Sequence, residues 1–435
     1  MKTSIYLAIL TGAAVLFPPA AGAARPCPVV VAGEWKLAVD ARSFAIEPPE
    51  TKSVVDERYE SLPVFNPRRH GWGQGERLCG VRAFETSVRF ALDEASVKIR
   101  AADGGRVLQR GVDWEMNGEW GAIGWLSREK DCGPALVSYS YRVRRLDAIV
   151  RRADGSVACL KGAGHVANPA MPPLAPGDTL LAAVYVDAQS VRLTDENLFP
   201  VQAGTANPFL AVRHAGLSKT LAKLRAGGKV KILAWGDSVT DAFWLERGER
   251  WQEQFVAWLG REYPGADIEL VSNGWPGKKS ASFLREGPES PRNFEKSVLE
   301  VRPDLVISEF VNDASGGAGI VEEIYAGKIL PAFRERGMEW VILAPHYVRP
   351  DMMGLRGQKN CDDDPRPFVH ALRAFALREG VALADASRLW GALWRRGIPY
   401  QTHLVNDINH PDAFGMALFV EALKPFFAKE TTQTP

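Results

Sequence analysis

Two segments far apart in the chain carry the residue types of a nucleophile and its base. Ser238 stands in Gly236-Asp237-Ser238-Val239-Thr240, directly after the apolar run 230–235, and His410 stands three residues after Asp407 in Asp407-Ile408-Asn409-His410. A serine hydroxyl is a weak nucleophile at its own pKa and needs an adjacent base. Imidazole titrates near neutrality, so His410 can take the proton and return it to a leaving alcohol. A carboxylate on the other ring nitrogen fixes the tautomer and stabilises the imidazolium, and Asp407 is the residue expected there. Two more segments offer donors for an oxyanion: Asn273-Gly274-Trp275-Pro276-Gly277, where glycine allows close backbone approach, and Val311-Asn312-Asp313, where an amide side chain is available.

These segments have to be positioned by regular elements, and from about residue 214 the sequence supplies them. Apolar runs at 230–235, 268–271, 305–311, 340–344 and 381–384 read as buried strands. Amphipathic stretches at 217–224, 294–301, 320–336, 368–378 and 412–427 read as helices, as does the stretch carrying Trp251, Phe255, Trp258 and Leu259 on one face. Alternation of strand and helix predicts an α/β domain, a three-layer α/β/α arrangement around a five-stranded parallel sheet. Three of the candidate segments follow the first three strands directly, where ligands bind in such sheets. The first half is different. Alternating runs at 86–92, 96–100, 136–143 and 180–186, split by glycine-rich turns, predict an all-β sandwich.

Taken in chain order, Gly236-Asp237-Ser238, Gly274, Asn312-Asp313 and Asp407-x-x-His410 resemble the conserved blocks of the SGNH (GDSL) hydrolase superfamily over roughly residues 212–430. The resemblance implies that Ser238 is the nucleophile, His410 the general base and Asp407 the residue orienting its ring. It implies an oxyanion hole of the Ser238 and Gly274 amides with the Asn312 side chain. The chain departs from the family pattern at Phe310, where the third block usually has glycine. An accessory β-sandwich ahead of such a domain is similar to the secreted carbohydrate esterases of this superfamily, which remove acetyl groups from polysaccharides. The function expected is therefore a serine esterase acting on acylated carbohydrate. An acyltransferase using the same triad, or a catalytically silent glycan-binding protein, is the alternative.

Each residue also has a plainer reading. Ser238 after Asp237 can be a helix cap, and Asn312 a turn residue. His346, after the fourth strand, is a candidate substrate contact, as are Asp237 and Trp275, but a core histidine and a core tryptophan are equally ordinary. Trp235 and Trp244 also cluster with the motifs. His70, His165, His214, His370 and His403 lack metal-ligand spacing, residues 362–364 read as a solvated acidic loop, and neither metal nor cofactor is expected.

Composition bounds the rest. With 53 Lys and Arg against 52 Asp and Glu, the net charge of +1 lacks the basic excess of a nucleic-acid or polybasic membrane-surface protein. A 46% hydrophobic share argues against disorder. Lys2, the apolar run 5–17 and Ala21-Gly22-Ala23 read as a cleaved signal peptide. The expected organisation is a signal peptide (1–23), a β-sandwich (24–205) and a hydrolase domain (206–435), exported to periplasm or exterior. Export makes two disulfides among Cys27, Cys79, Cys132 and Cys159 the expectation, in any of three connectivities, with Cys361 unpaired.

Overall fold

The computed structural model describes residues 29–103, 105–131, 133–202 and 216–429. The expected signal peptide, Cys27, Cys132 and the expected domain boundary at 205/206 lie outside the described residues.

The second half is the expected three-layer domain. Its five strands run parallel in the order Asp267–Gly274, Lys229–Gly236, Leu305–Glu309, Glu339–Leu343, Ala382–Ala384. Successive side chains of a strand point to opposite faces. Accordingly Ile232 and Ala234 pack in one core with Trp251, Phe255, Trp390 and Phe419, while Leu233 and Trp235 pack in the other with Phe283, Phe333 and Phe375. Both faces are apolar because helices cover both. The chain passes from its first strand to a neighbour on one side, then to the third strand on the other. That reversal opens a crevice at the carboxyl ends of the strands, where Ser238 and Asn312 lie.

The first half is all-β. Among its described residues, a four-stranded antiparallel sheet (Thr51–Tyr59, Ala135–Arg142, Leu92–Ala101, Val107–Leu108) shares a core with a three-stranded one through Val137, Tyr139, Trp114 and Trp125. A second four-stranded sheet (Val157–Leu160, Arg145–Arg151, Thr179–Val186, Leu198–Pro200) shares another with the N-terminal three-stranded sheet through Ile149, Val184, Leu37 and Val39. The alternation at 86–92 does not mark a strand, which begins only at Leu92. Residues 84–86 instead anchor to the other domain, and Phe90 has a left-handed backbone, φ 58°.

The two halves share a core. Leu146, Ala183, Tyr185 and Phe199 of the second β-sheet belong to the same apolar cluster as Trp390, Leu393 and Tyr400 of the α/β domain. The β domain is built into the α/β domain rather than tethered to it.

Cys79, Cys159 and Cys361 are free thiols, so the expected pair of disulfides is not formed. Cys159 lies in the strand Val157–Leu160, whereas Cys79 sits on a helical turn beside Tyr59, outside the sheets. Cys361 is buried, which pushes its thiol up to about 12 and leaves it unreactive near neutrality. Asp362, Asp363 and Asp364 are paired with Arg395, Arg373 and Arg366 rather than merely solvated.

Candidate active site

The first strand ends at Gly236, and the chain turns at once into the short helix Ser238–Asp241. Asp237 caps this turn, its Oδ1 accepting from the Val239 amide at 3.0 Å while its Oδ2 accepts from the Asn312 amide at 2.9 Å. One buried carboxylate thus ties the turn carrying Ser238 to the turn carrying Asn312. Burial raises the Asp237 pKa to about 7. Gly274 lies under the same turn, and a Cβ there would stand 2.2 Å from the Asp241 nitrogen. The glycine is needed for this backbone approach, and a side chain would displace the turn.

His410 is held on a loop that its own chain organises. The Asn406 Oδ1 accepts from the amides of Ile408, Asn409 and His410 at 3.0, 2.8 and 2.9 Å. His346 donates from Nε2 to the Asn409 carbonyl at 2.8 Å from behind. Burial pushes His346 down to about 3, so it stays neutral and keeps that bond. Trp244 stacks on the imidazole with centroids 4.0 Å apart and planes 6° from parallel, and its indole N–H donates to the Pro411 carbonyl at 2.8 Å. The ring is fixed in plane and depth.

The outcome is a Ser238 Oγ and a His410 Nε2 3.1 Å apart, on residues 172 positions distant in sequence. Both are nearly buried, at 5% and 6% exposure. Burial pushes His410 down to about 4, so at neutral pH the imidazole is uncharged and able to accept a proton. An oxygen and a neutral imidazole at this distance can transfer a proton as the oxygen attacks.

The structure does not bring Asp407 to the ring. Its carboxylate accepts from both terminal nitrogens of Arg144 and from the Gln401 side-chain nitrogen at 2.7 Å, and it is wholly buried. Asp407 also takes a left-handed backbone, φ 59°. Its ionic partner comes from the β domain, where Arg144 is further held by Asp187 at 2.9 Å and the Ala167 carbonyl at 3.2 Å. The His410 Nδ1 faces a different carboxylate, the Glu85 Oε2 at 3.2 Å, without the alignment of a hydrogen bond. Asp412 binds His403 at 2.9 Å and caps the last helix.

Two expected substrate contacts are likewise corrected. Asp237 and His346 have 0% exposure, because each is consumed in holding a loop. Trp275 is half-buried, set edge-on against Phe283 with the Lys278 ammonium over its ring. Trp235 is a core residue among Phe283, Phe294, Phe310 and Phe333. Phe310 fills the position where the family usually has glycine, and there it packs edge-on against Trp235, 4.9 Å away. The Asn312 side chain makes a long bond of 3.3 Å to the Lys278 carbonyl.

Sequence reading missed Glu85, Arg144, Phe84 and Gln401. The first three belong to the β domain, and no spacing rule connects them with residues more than 150 positions away. On the surface beside His410, Phe84 (37% exposed) and Phe243 (48% exposed) gather around Trp244 at 6.2 and 5.6 Å.

Comparison with known proteins agrees with the motifs. Residues 234–418 match the model of the GDSL-like lipase/acylhydrolase family. No curated protein matches the sequence. Among solved structures, the chain is similar to a two-domain esterase (CEX) active on acetylated mannans, with 18% identity and a TM-score of 0.36 over 50% of this chain and 55% of that one. It is also similar to Axe2, an acetylxylan esterase from Geobacillus stearothermophilus, with 18% identity and a TM-score of 0.38 over 47% of this chain and 97% of that one. The chain thus spans about half the length of the mannan esterase. With its sheet order, its motif blocks and this match together, the α/β half of the chain is a GDSL-like lipase/acylhydrolase domain.

Proposed function

We propose that the protein is an exported serine esterase that removes short acyl groups, O-acetyl above all, from carbohydrate. The observation carrying this reading is the 3.1 Å approach of the Ser238 hydroxyl to a neutral, buried imidazole at the crevice of the sheet. In the first half-reaction the Ser238 Oγ bonds to the ester carbonyl carbon as its proton passes to His410 Nε2. The tetrahedral oxyanion collapses, the bond to the sugar oxygen breaks, and His410 returns the proton to that oxygen. Water then attacks the acyl-serine, giving its proton to His410, and the carboxylic acid leaves as Ser238 regains its hydrogen. Each oxyanion would be met by the Ser238 and Gly274 amides and the Asn312 side chain. The bridge through Asp237 supports this, since it keeps two of the three donors in fixed relation.

A sugar substrate is supported by the exposed rings of Phe84 and Phe243 at the mouth of the site, since aromatic faces stack on the C–H faces of pyranoses. Export is supported by the pattern of residues 1–23. No helix among the described residues is long and apolar enough to cross a membrane. The domain limits follow as 24–205 and 206–435.

The test is acetate release from acetylated xylan, mannan and peptidoglycan, with p-nitrophenyl acetate as reference. Release from at least one glycan is expected. Turnover of the nitrophenyl ester with none of the glycans would refute the substrate class, and delivery of acetyl to an added acceptor glycan in place of acetate release would identify a transferase. Phe84→Ala and Phe243→Ala should raise KM on the glycan by about tenfold, one lost stacking contact being worth about 1 kcal/mol or slightly more, with kcat on the small ester unchanged. Equal effects on both substrates would contradict a glycan-binding role.

A further inference from the structure

Deepening that reading, on which it rests, we infer that Glu85 of the β domain, and not Asp407, is the carboxylate that positions and electrostatically supports the His410 ring, so that the active site is assembled from both domains.

The inference follows from three observations. First, Asp407 is committed elsewhere: its oxygens are occupied by Arg144 and Gln401, and it neutralises a guanidinium that is itself nearly buried. Second, the His410 Nδ1 is buried with no hydrogen-bond partner among the described residues, and buried ring N–H groups almost always find an acceptor. The Glu85 Oε2 at 3.2 Å is the acceptor within reach, and a small rotation of its flexible side chain aligns the bond. Catalytic contacts are often long or poorly aligned until substrate is bound. Third, the turn bearing Glu85 is fastened to the turn bearing His410. The Phe84 amide donates to the Val405 carbonyl at 3.2 Å, and the Thr86 hydroxyl to the Asn406 carbonyl at 2.5 Å. The segment from Ala83 to Thr86 closes on itself, the Thr86 carbonyl accepting from the Ala83 amide at 3.1 Å. Glu85 holds a left-handed backbone at its tip, φ 60°, a conformation unfavourable for a non-glycine residue that this turn sustains.

The charges around the ring are few. Glu85 faces Nδ1, Ser238 faces Nε2, neutral His346 lies behind, and Arg77 acts on Glu85 from its own domain. Asp407 is spent on Arg144. Burial pulls the His410 pKa down to about 4, and a carboxylate brought into hydrogen bond with Nδ1 would pull it up. Removal of the carboxylate therefore moves the acid limb of the pH profile as well as the rate.

The experiment is Glu85→Gln in the full-length protein, assayed on p-nitrophenyl acetate across pH. Expected are a kcat at least about 10²-fold lower, a KM within about threefold of wild type, and an acid limb of kcat/KM displaced by about one unit or more to lower pH; a fully buried orienting aspartate is worth about 10⁴-fold, and Glu85 is partly exposed. Should the glutamine variant be poorly folded, Glu85→Ala assayed with added formate reads the same role, and rescue by the small carboxylate is expected where none occurs in wild type or in His410→Ala. A Glu85→Gln enzyme with wild-type kcat and an unmoved acid limb, or absence of formate rescue in a folded Glu85→Ala, would overturn the inference. An inactive Ser238→Ala alongside that result would leave the esterase reading standing; an active one would remove both.

Discussion

Ser238→Ala is expected to lower kcat/KM on p-nitrophenyl acetate by roughly 10⁴-fold or more, because what remains is only substrate binding and oxyanion stabilisation. The melting temperature should hardly move, since among the described residues the hydroxyl makes a single hydrogen bond, to His410. His410→Ala should be as damaging to turnover. The double variant should be little worse than either single one, because the two groups act in one proton transfer and their losses do not add. Steady-state kinetics on the three variants checks this. Additive losses, or near-normal turnover in either single variant, would mean that the two side chains do not work as a unit.

Arg144→Met is expected to destabilise the protein by about 3–5 kcal/mol, the usual cost of leaving a buried charge without its partner. Asp407 would then sit fully buried with only Gln401 to bond it. The strength of the pairing is visible in Arg144, whose pKa is raised well above the ordinary guanidinium value by Asp407, even though burial works against its charge. Urea unfolding reads the loss directly. The companion variant Arg144→Met/Asp407→Leu should recover most of the stability, since apolar pairs often replace buried ion pairs at little cost. A loss under about 1 kcal/mol in Arg144→Met would show that the bridge does not hold the domains and the His410 loop together.

The parallel sheet was legible because its strands are buried on both faces and therefore apolar throughout, as in 230–235, and because helices of the expected length alternate with them. Ser238 and His410 were legible because each sits in a motif at the edge of such an element. The role of Asp407 was not, for a physical reason. Spacing of three places a carboxylate near a histidine, but the partner it takes depends on which cation is buried beside it. Arg144 lies in the other domain, between the strands Ala135–Arg142 and Arg145–Arg151, and its approach is decided by docking, not by local pattern. Glu85 was hidden for the same reason, and the alternation around it imitates a strand while the chain in fact turns back. Asp237 and His346 looked like cleft residues because they follow strands, yet their hydrogen-bonding capacity goes to backbone amides and carbonyls that shape the loops. A position near the crevice is fixed by topology; whether a side chain faces it is fixed by what its loop must hold.

The most direct measurement is mass spectrometry of the protein after treatment with a serine-directed fluorophosphonate at neutral pH. One adduct is predicted, on the peptide containing Ser238, with loss of esterase activity in proportion to labelling and much slower labelling in His410→Ala. An adduct on another residue, or full activity after Ser238 has been modified, would contradict the account.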